Sequence, residues 1–184
     1  NSLIENLLYN ERRQKDSIKL FEISEIYQQG KNDVEVKTIL TKSGREFVTP
    51  LSLSTLTKSK TFENMFDSEA ESEIDHIALS RWADIILVIP TTANFMSKLS
   101  IGKAEDLATT VLLAADKDIL LVPAMNVRMW LHKATQSNLK ILQDFGYLFI
   151  GPEKGEMACG EYGEGKMSTP NNQVWISNIQ YMVV

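Results

Sequence analysis

The sequence contains a single cysteine, Cys159, among its 184 residues. One cysteine cannot form an intramolecular disulfide, and no basic segment followed by an apolar one opens the chain, so we expect a cytoplasmic rather than an exported protein. Long apolar runs are also missing. The longest, residues 85–90 and 119–124, fall far short of the roughly 20 residues that cross a bilayer. We therefore expect no membrane association.

An excess of positive charge is missing as well. The chain has 19 Lys and Arg against 24 Asp and Glu, a net charge of −5, and its densest basic run, residues 11–15, is short and contains an acid. Phosphate backbones require clustered basic side chains. Nucleic acid is therefore not an expected partner. Separately, we predict no metal site.

Strand and helix patterns alternate along the chain. Residues 34–40 alternate and are rich in β-branched side chains, whereas residues 84–90 and 118–123 are continuously apolar, which is typical of parallel strands buried on both faces. Helical patterns cover residues 19–29, 47–56, 102–115 and 133–146, with Gly146 as the cap, and a short strand covers residues 147–150. This alternation predicts the α/β class, with one doubly wound parallel sheet.

Two segments stand out near the predicted carboxyl end of the sheet. Residues 123–130 read Pro-Ala-Met-Asn-Val-Arg-Met-Trp and follow a buried strand, and residues 157–167 place Cys159 in a stretch rich in glycine. Such glycine density predicts a loop that approaches another group closely. Ligands bind at the carboxyl ends of parallel strands. We therefore predict a polar site built from these two segments.

Four segments resemble motifs of the flavin-dependent cysteine decarboxylases. Residues 76–84 resemble the family's histidine-containing helix that leads into a strand, and residues 90–95 resemble its flavin-binding motif. Residues 123–130 match its Pro-x-Met-Asn-x-x-Met-Trp motif at every fixed position, and residues 158–167 resemble its substrate-recognition clamp. The resemblance covers roughly residues 34–170 and implies a Rossmann or flavodoxin-like flavoprotein.

The resemblance implies FMN as cofactor and a small-molecule substrate. The reaction would be the oxidative decarboxylation of 4′-phosphopantothenoylcysteine to 4′-phosphopantetheine in coenzyme A biosynthesis. Residues 1–184 would form one flavoprotein domain, with residues 171–184 as an extension or the start of a connection to a further domain. The family also implies a homotrimer or dodecamer with active sites between subunits.

The motifs also imply roles for individual residues. By resemblance, His76 serves the oxidation, Asn126 holds the substrate carboxylate, and Cys159 protonates the enethiolate intermediate. These side chains suit such roles, because an imidazole titrates near neutrality, an amide donates without adding charge, and a thiol can deliver a proton. The other implied substrate contacts are Met129, Ala158, Gly160, Lys166 and Met167. The implied FMN contacts are Ser17, Thr41, Phe47, Thr92, Ala93, Asn94, Phe95 and Ala124.

Several of these residues have a structural alternative. Asn94 could cap the helix that follows residue 90. We favour Met125, Met129 and Trp130 as part of the wall of a site completed by a neighbouring subunit, but they could also be core residues at helical spacing. For His132 we expect a structural role. The apolar segment 171–184 should pack, on this domain or on a partner.

The chain departs from the family at its start. Family members open with a hydrophobic strand and a glycine loop that holds the FMN phosphate at a helix N-terminus. Here no glycine precedes Gly30, and residues 1–15 have a mostly polar and charged pattern that does not indicate a buried strand. Three explanations are open: a divergent phosphate loop that uses Ser17, a sequence with residues missing or misassigned in this region, or a loss of flavin binding. We favour the second, because the absence of a central strand would leave a gap in the sheet.

Smaller departures lie within the motifs. Thr91 and Thr92 replace the family's Ala-Ser, Phe95 replaces a threonine, and Lys166 replaces the usual arginine of the clamp. The lysine gives up bidentate recognition of phosphate or carboxylate.

Two other functions compete with the first. A decarboxylase acting on peptides that end in cysteine is disfavoured by the clamp, since peptide-acting relatives carry a different one. A flavin-poor regulatory subunit of the same family is favoured by the missing glycine loop. It is disfavoured by the retention of His76, Asn126 and Cys159.

Overall fold

The computed structural model describes residues 35–65, 76–157, 160–168 and 181–184. The strands within these ranges are β1 Val36–Ile39, β2 Thr61–Phe62, β3 Ile85–Thr91, β4 Asp118–Pro123, β5 Leu148–Phe149, β6 Glu153–Glu156, β7 Tyr162–Lys166 and β8 Tyr181–Val183. Six of them form a parallel sheet in the spatial order β2-β1-β8-β3-β4-β5. The other two, β6 and β7, form a separate antiparallel ribbon.

Helices connect the strands, as the alternating pattern predicts. They are α1 Pro50–Thr57, α2 His76–Trp82, α3 Ala93–Ser100, α4 Leu107–Ala114, α5 Val127–Trp130 and α6 Lys133–Asp144. Helix α3 packs against α6, and α2 packs against α4. None of the helices in the described ranges is long and apolar enough to cross a membrane. The predicted class, a doubly wound parallel α/β sheet, is confirmed.

The core lies where β3 and β4 meet the helices. Ile86, Leu87 and Val88 are buried in succession on β3, as are Leu121 and Val122 on β4. Consecutive burial means that both faces of these strands are covered, as their uninterrupted apolar runs predict. Each such side chain stabilises the fold by roughly 1.5–3 kcal/mol. The loops that follow β3 and β4 therefore start from strands that are buried on both faces.

Strand β8 occupies the centre of the sheet, between β1 and β3. Met182 is fully buried there. The Val184 N–H donates to the Leu87 carbonyl at 2.9 Å, and the Ile89 N–H donates to the Val184 carbonyl at 3.0 Å. The expectation that the C-terminal segment packs on this domain is confirmed for residues 181–184. We preferred missing residues at the start of the chain because the absence of a central strand would leave a gap in the sheet; in the described sheet, β8 lies between β1 and β3 and pairs with both.

Local capping explains where the predicted helix bounds are wrong. The helix predicted over residues 102–115 begins only at Leu107, because the Asp106 carboxylate accepts from the Thr109 N–H at 2.8 Å and caps the helix. The helix predicted over residues 47–56 begins at Pro50, after a short 3₁₀ turn. Helix α6 ends at Asp144 with Phe145 as its C-cap, so Gly146, predicted as the cap, lies one residue beyond it; its φ is +91° and its N–H donates to the Gln143 carbonyl at 3.0 Å. The helix predicted over residues 19–29 lies outside the described residues.

The glycine-rich segment is a ribbon rather than the predicted loop. Strands β6 and β7 pair antiparallel, with Gly155 opposite Gly163. We call residues 153–168 the clamp. Ala158 and Cys159 lie between the two strands in sequence and are outside the described residues.

A buried hydroxyl joins β3 to β4 where their register shifts. The Thr91 hydroxyl donates to the Val88 carbonyl at 2.7 Å and accepts from the Val122 N–H at 3.1 Å. The shift falls between Val88 and Thr91, and Thr91 is fully buried. Its hydroxyl therefore satisfies two backbone groups that the irregular ladder leaves without strand partners.

Replacement of this hydroxyl should destabilise the protein. We expect Thr91→Val to lower the free energy of unfolding by about 1–3 kcal/mol, because the Val122 N–H loses its acceptor while the side-chain volume is kept. Urea unfolding measures the change. The matched control is Thr55→Val on the exposed surface of α1, for which we expect a change within about 0.5 kcal/mol. Equal effects of the two substitutions would contradict this account of Thr91.

Candidate active site

The candidate site lies at the carboxyl edge of the parallel sheet. Thr41 follows β1, Thr92 follows β3, and Ala124 follows β4. The Ala124 N–H donates to the Thr91 carbonyl at 3.1 Å, which ties the loop after β4 to the end of β3. Because β3 and β4 are adjacent and parallel, the segments predicted as flavin-binding and as carboxylate-binding emerge side by side.

The loop after β3 starts helix α3. The Thr92 hydroxyl accepts from the Phe95 N–H at 3.2 Å, so Thr92, and not Asn94, caps the helix. Thr92 and Asn94 are exposed, whereas Phe95 is 9% exposed and belongs to the hydrophobic core. The first turn of α3 thus places the Thr92 hydroxyl, the Asn94 side-chain amide and the N–H groups of Ala93 and Asn94 at the carboxyl edge of the sheet. The Phe95 side chain packs in the core and holds the turn in place.

The loop after β4 is organised by Asn126. Its Oδ1 accepts from the Arg128 N–H at 2.8 Å and caps the short helix α5. This bond orients the amide, so that the Nδ2 group faces away from the helix backbone. Trp130 is buried in the core, which confirms its structural alternative, and Met129 is 50% exposed.

The clamp lies directly on this loop. The Met125 N–H donates to the Gly165 carbonyl at 3.0 Å. A methyl group at Gly165, whose φ is +139°, would lie 2.3 Å from the Met125 carbonyl oxygen, and one at Gly163 would lie 2.9 Å from the Val127 side chain. Any larger residue at these positions would push the clamp off the loop. The predicted close approach of the glycines is confirmed, and its target is the Asn126 loop.

A clamp residue that the sequence did not single out contacts the predicted carboxylate-binding residue. The Asn126 Nδ2 donates to Glu161 Oε2 at 2.5 Å, and Arg128 Nε lies 3.7 Å from Glu161 Oε1. The only sequence signal is that Glu161 lies two residues after Cys159 in the clamp motif. Asn126, Arg128 and Glu161 form a small polar cluster between α5 and the clamp.

The structure places the other predicted site residues as follows. His76 is the first residue of α2 and is partly buried. Thr41 accepts from the Gly44 N–H at 3.1 Å, and Phe47 is 68% exposed. In the clamp, Gly160, Lys166 and Met167 are exposed. Ser17, Ala158 and Cys159 lie outside the described residues, so their roles stay predictions.

Two further observations concern His132 and metal ligands. The His132 Nδ1 accepts from the Ala134 N–H at 3.1 Å and caps α6, which agrees with a structural role for this histidine. Within the described ranges, no group of three His, Cys, Asp or Glu side chains is arranged to hold a metal ion.

Comparison with known proteins identifies a family and several relatives of this chain. Residues 16–177 match the family model described as Flavoprotein. The coenzyme A biosynthesis bifunctional protein CoaBC of Haemophilus influenzae is 43% identical over 140 residues, which cover 76% of this chain and 35% of that protein. The chain thus spans about a third of the length of the curated relatives that it matches.

Two solved structures share the fold at similar coverage. A cysteine-to-serine mutant of PPC decarboxylase, complexed with pantothenoylaminoethenethiol, has a TM-score of 0.64 and 32% identity over 74% of this chain and 78% of that one. The FMN binding protein AtHal3 has a TM-score of 0.60 and 31% identity over 73% of this chain and 75% of that one. With a family match that extends over most of its length, the chain belongs to the flavoprotein family.

Proposed function

We propose that this chain is an FMN-dependent decarboxylase that converts 4′-phosphopantothenoylcysteine to 4′-phosphopantetheine in coenzyme A biosynthesis. The observation that carries the proposal is the Asn126 amide, which is oriented by its own helix cap and held under the clamp beside the exposed first turn of α3. The relatives named CoaBC and the PPC decarboxylase structure support this substrate.

The first turn of α3 fits a flavin. The cap bond of Thr92 uses the Phe95 N–H, so the N–H groups of Ala93 and Asn94 are without intrahelical acceptors. These donors and the exposed Thr92 and Asn94 side chains lie at the same edge as Ala124, whose N–H donates to the Thr91 carbonyl at 3.1 Å. We propose that these residues hold FMN together with Thr41 and Phe47. Bound FMN supplies a reversible two-electron oxidation of the substrate.

The phosphate end of the cofactor is assigned by resemblance only. Ser17 lies outside the described residues and remains our proposal for a hydroxyl donor to the FMN phosphate. Phe95 is a weaker proposal as a flavin contact through its side chain, since that side chain packs in the core.

The protein residues bind the substrate, orient it and move protons. Asn126 donates to the substrate carboxylate, and its neutral amide suits a group that must leave as carbon dioxide, because a cation would stabilise the carboxylate more strongly. His76 serves as the proton acceptor in the oxidation, and Cys159 donates a proton to the enethiolate that remains after decarboxylation. Met129, Lys166 and Met167 on the exposed rim, with Ala158 and Gly160 of the clamp turn, complete the substrate contacts.

We also propose a cytoplasmic homotrimer or dodecamer with sites shared between subunits. Apolar side chains around the site are exposed in the single chain: Met129 is 50% exposed, Leu131 59% and Tyr162 69%. Exposed apolar groups that cluster beside a polar site are typical of an interface. Residues 1–184 would form one flavoprotein domain, with residues 171–184 as an extension or a connection.

The visible spectrum and carbon dioxide release test the proposal. The purified protein should show flavin absorbance, or gain it on addition of FMN, and should release carbon dioxide from 4′-phosphopantothenoylcysteine. Absence of both after FMN addition would overturn the proposal. Release only from peptides that end in cysteine would favour a peptidyl-cysteine decarboxylase instead.

Replacement of Asn126 by a carboxylate should impair substrate binding. Asn126→Asp puts a negative charge against the substrate carboxylate, and we expect kcat/KM to fall on the order of 100-fold, since like charges in contact cost several kcal/mol. Steady-state kinetics measures the loss. The matched control is Asn138→Asp on α6, where the side chain accepts from the Ser100 hydroxyl at 3.1 Å and the acceptor is kept. A fall of the same size in both variants would contradict the role of Asn126.

Replacement of Cys159 should separate decarboxylation from protonation. A serine hydroxyl is a much weaker acid than a thiol, so Cys159→Ser should release up to one equivalent of carbon dioxide per site while steady turnover falls on the order of 100-fold. The enethiol-type ligand in the mutant of the related decarboxylase is consistent with such an accumulation. Single-turnover analysis measures both steps. Undiminished turnover would contradict the role, and a purely regulatory subunit would show neither step before or after the change.

A further inference from the structure

A glutamate of the clamp already contacts the amide to which we assign the substrate carboxylate. Glu161 Oε2 accepts from Asn126 Nδ2 at 2.5 Å, and Glu161 Oε1 lies 3.7 Å from Arg128 Nε. The other end of the Asn126 amide is engaged in the helix cap with the Arg128 N–H. The Nδ2 group is therefore the donor that a ligand would use, and in this structure it binds a protein carboxylate.

The backbone of the clamp turn holds Glu161 in this place. The Met157 N–H donates to the Glu161 carbonyl, and the Gly160 N–H donates to the Met157 carbonyl, both at 2.9 Å. The Glu161 side chain remains 42% exposed and that of Arg128 88%. The backbone position is fixed while the carboxylate borders solvent, so the side chain can rotate away without opening the ribbon.

Two carboxylates are disfavoured on one neutral amide. The Nδ2 group carries two N–H bonds, but two carboxylates that accept from the same nitrogen lie close enough to repel each other, and an asparagine supplies no positive charge to offset the repulsion. The nearby guanidinium of Arg128 is mostly exposed, so its field is screened by solvent and salt. A substrate carboxylate that binds Asn126 must therefore displace that of Glu161.

We propose that Glu161 is a specificity-determining residue that occupies the carboxylate position of Asn126 and is exchanged for the carboxylate of the substrate. This inference rests on the proposed function of Asn126 and extends it. Occupation by Glu161 lowers the fraction of protein that is competent to bind a carboxylate, and so lowers the apparent affinity for carboxylate ligands. After carbon dioxide leaves, Glu161 returns to the amide and favours release of the product, which has no carboxylate there.

If Glu161 had only a structural role, its removal would weaken ligand binding, whereas exchange predicts tighter binding of carboxylate ligands. If Glu161 only held Asn126 in its binding orientation, its removal would weaken binding of carboxylate ligands. If it only held the clamp shut, its removal would weaken carboxylate and non-carboxylate ligands alike. The sign and selectivity of the change therefore distinguish exchange from support.

Calorimetric titration of the FMN-loaded protein with two matched ligands tests the inference. The first, 4′-phosphopantothenoylserine, has a hydroxyl in place of the reactive thiol and keeps the carboxylate; the second, 4′-phosphopantothenoylethanolamine, lacks only the carboxylate. We expect Glu161→Ala to lower the Kd of the serine ligand about five- to tenfold, as expected if Glu161 occupies the amide most of the time. The Kd of the ethanolamine ligand should change by less than about twofold.

Two further variants control for charge and for folding. Asp144→Ala removes one negative charge from an exposed position at the end of α6, outside the clamp, and we expect it to leave both affinities unchanged. Glu161→Gln keeps the shape and the acceptor but removes the charge, and should also bind the serine ligand more tightly. Unchanged or weaker binding of the serine ligand by both Glu161 variants, or an equal change for both ligands, would overturn the inference.

Turnover of the wild-type protein keeps the two claims separate. If carbon dioxide is released from 4′-phosphopantothenoylcysteine but the Glu161 variants show no selective tightening, the exchange is wrong and the proposed function stands. If no carbon dioxide is released but the selective tightening is seen, the exchange stands and the assigned reaction is wrong.

Discussion

The backbone contact between Met125 and Gly165 is the constraint on which the rest of the site depends. It joins the clamp to the loop after β4, and it requires a glycine because a methyl group there would overlap the Met125 carbonyl. Through this contact the clamp places Glu161 against Asn126. Gly163 lies against the Val127 side chain at the same junction, so the two glycines together determine where the clamp side chains lie over the amide.

The sheet supplies a rigid base for this contact. Strands β3 and β4 are buried on both faces, and the Thr91 hydroxyl secures their irregular junction one residue before the first turn of α3. Strand β8 completes the centre of the sheet from the C-terminal side of the chain. The edge that carries Thr92 and Asn126 is thus fixed by packing, whereas the clamp is an added two-stranded ribbon. This division suits a site in which the binding edge stays in place and a side chain above it moves.

Sequence patterns predicted the secondary-structure elements that depend on residues close together along the chain. The apolar runs at residues 84–90 and 118–123 indicated buried strands, and the site was predicted at the edge where they end. The start of α4 was placed wrongly because one cap, Asp106, outweighs an otherwise helical pattern. The position of β8 could not be predicted, because its hydrogen-bond partners lie about a hundred residues or more away along the chain.

In the site, too, features set by neighbouring residues were predicted, whereas contacts between distant residues were not. The Asn126 motif and the glycines were visible as patterns, and the structure brings them together. The contact between Asn126 and Glu161 spans 35 residues and depends on how the ribbon folds back, so no local pattern indicates it. Residues before 35 are outside the described part of the chain, and the phosphate end of the flavin site remains a prediction from resemblance.

The central claim is that Asn126 receives the carboxylate of the substrate under the clamp. A crystal structure of the FMN-loaded protein with 4′-phosphopantothenoylserine tests it most directly. The account predicts the ligand carboxylate within hydrogen-bonding distance of Asn126 Nδ2, with the Glu161 carboxylate turned away from that amide. A ligand carboxylate bound elsewhere, with Glu161 still on Asn126, would contradict it.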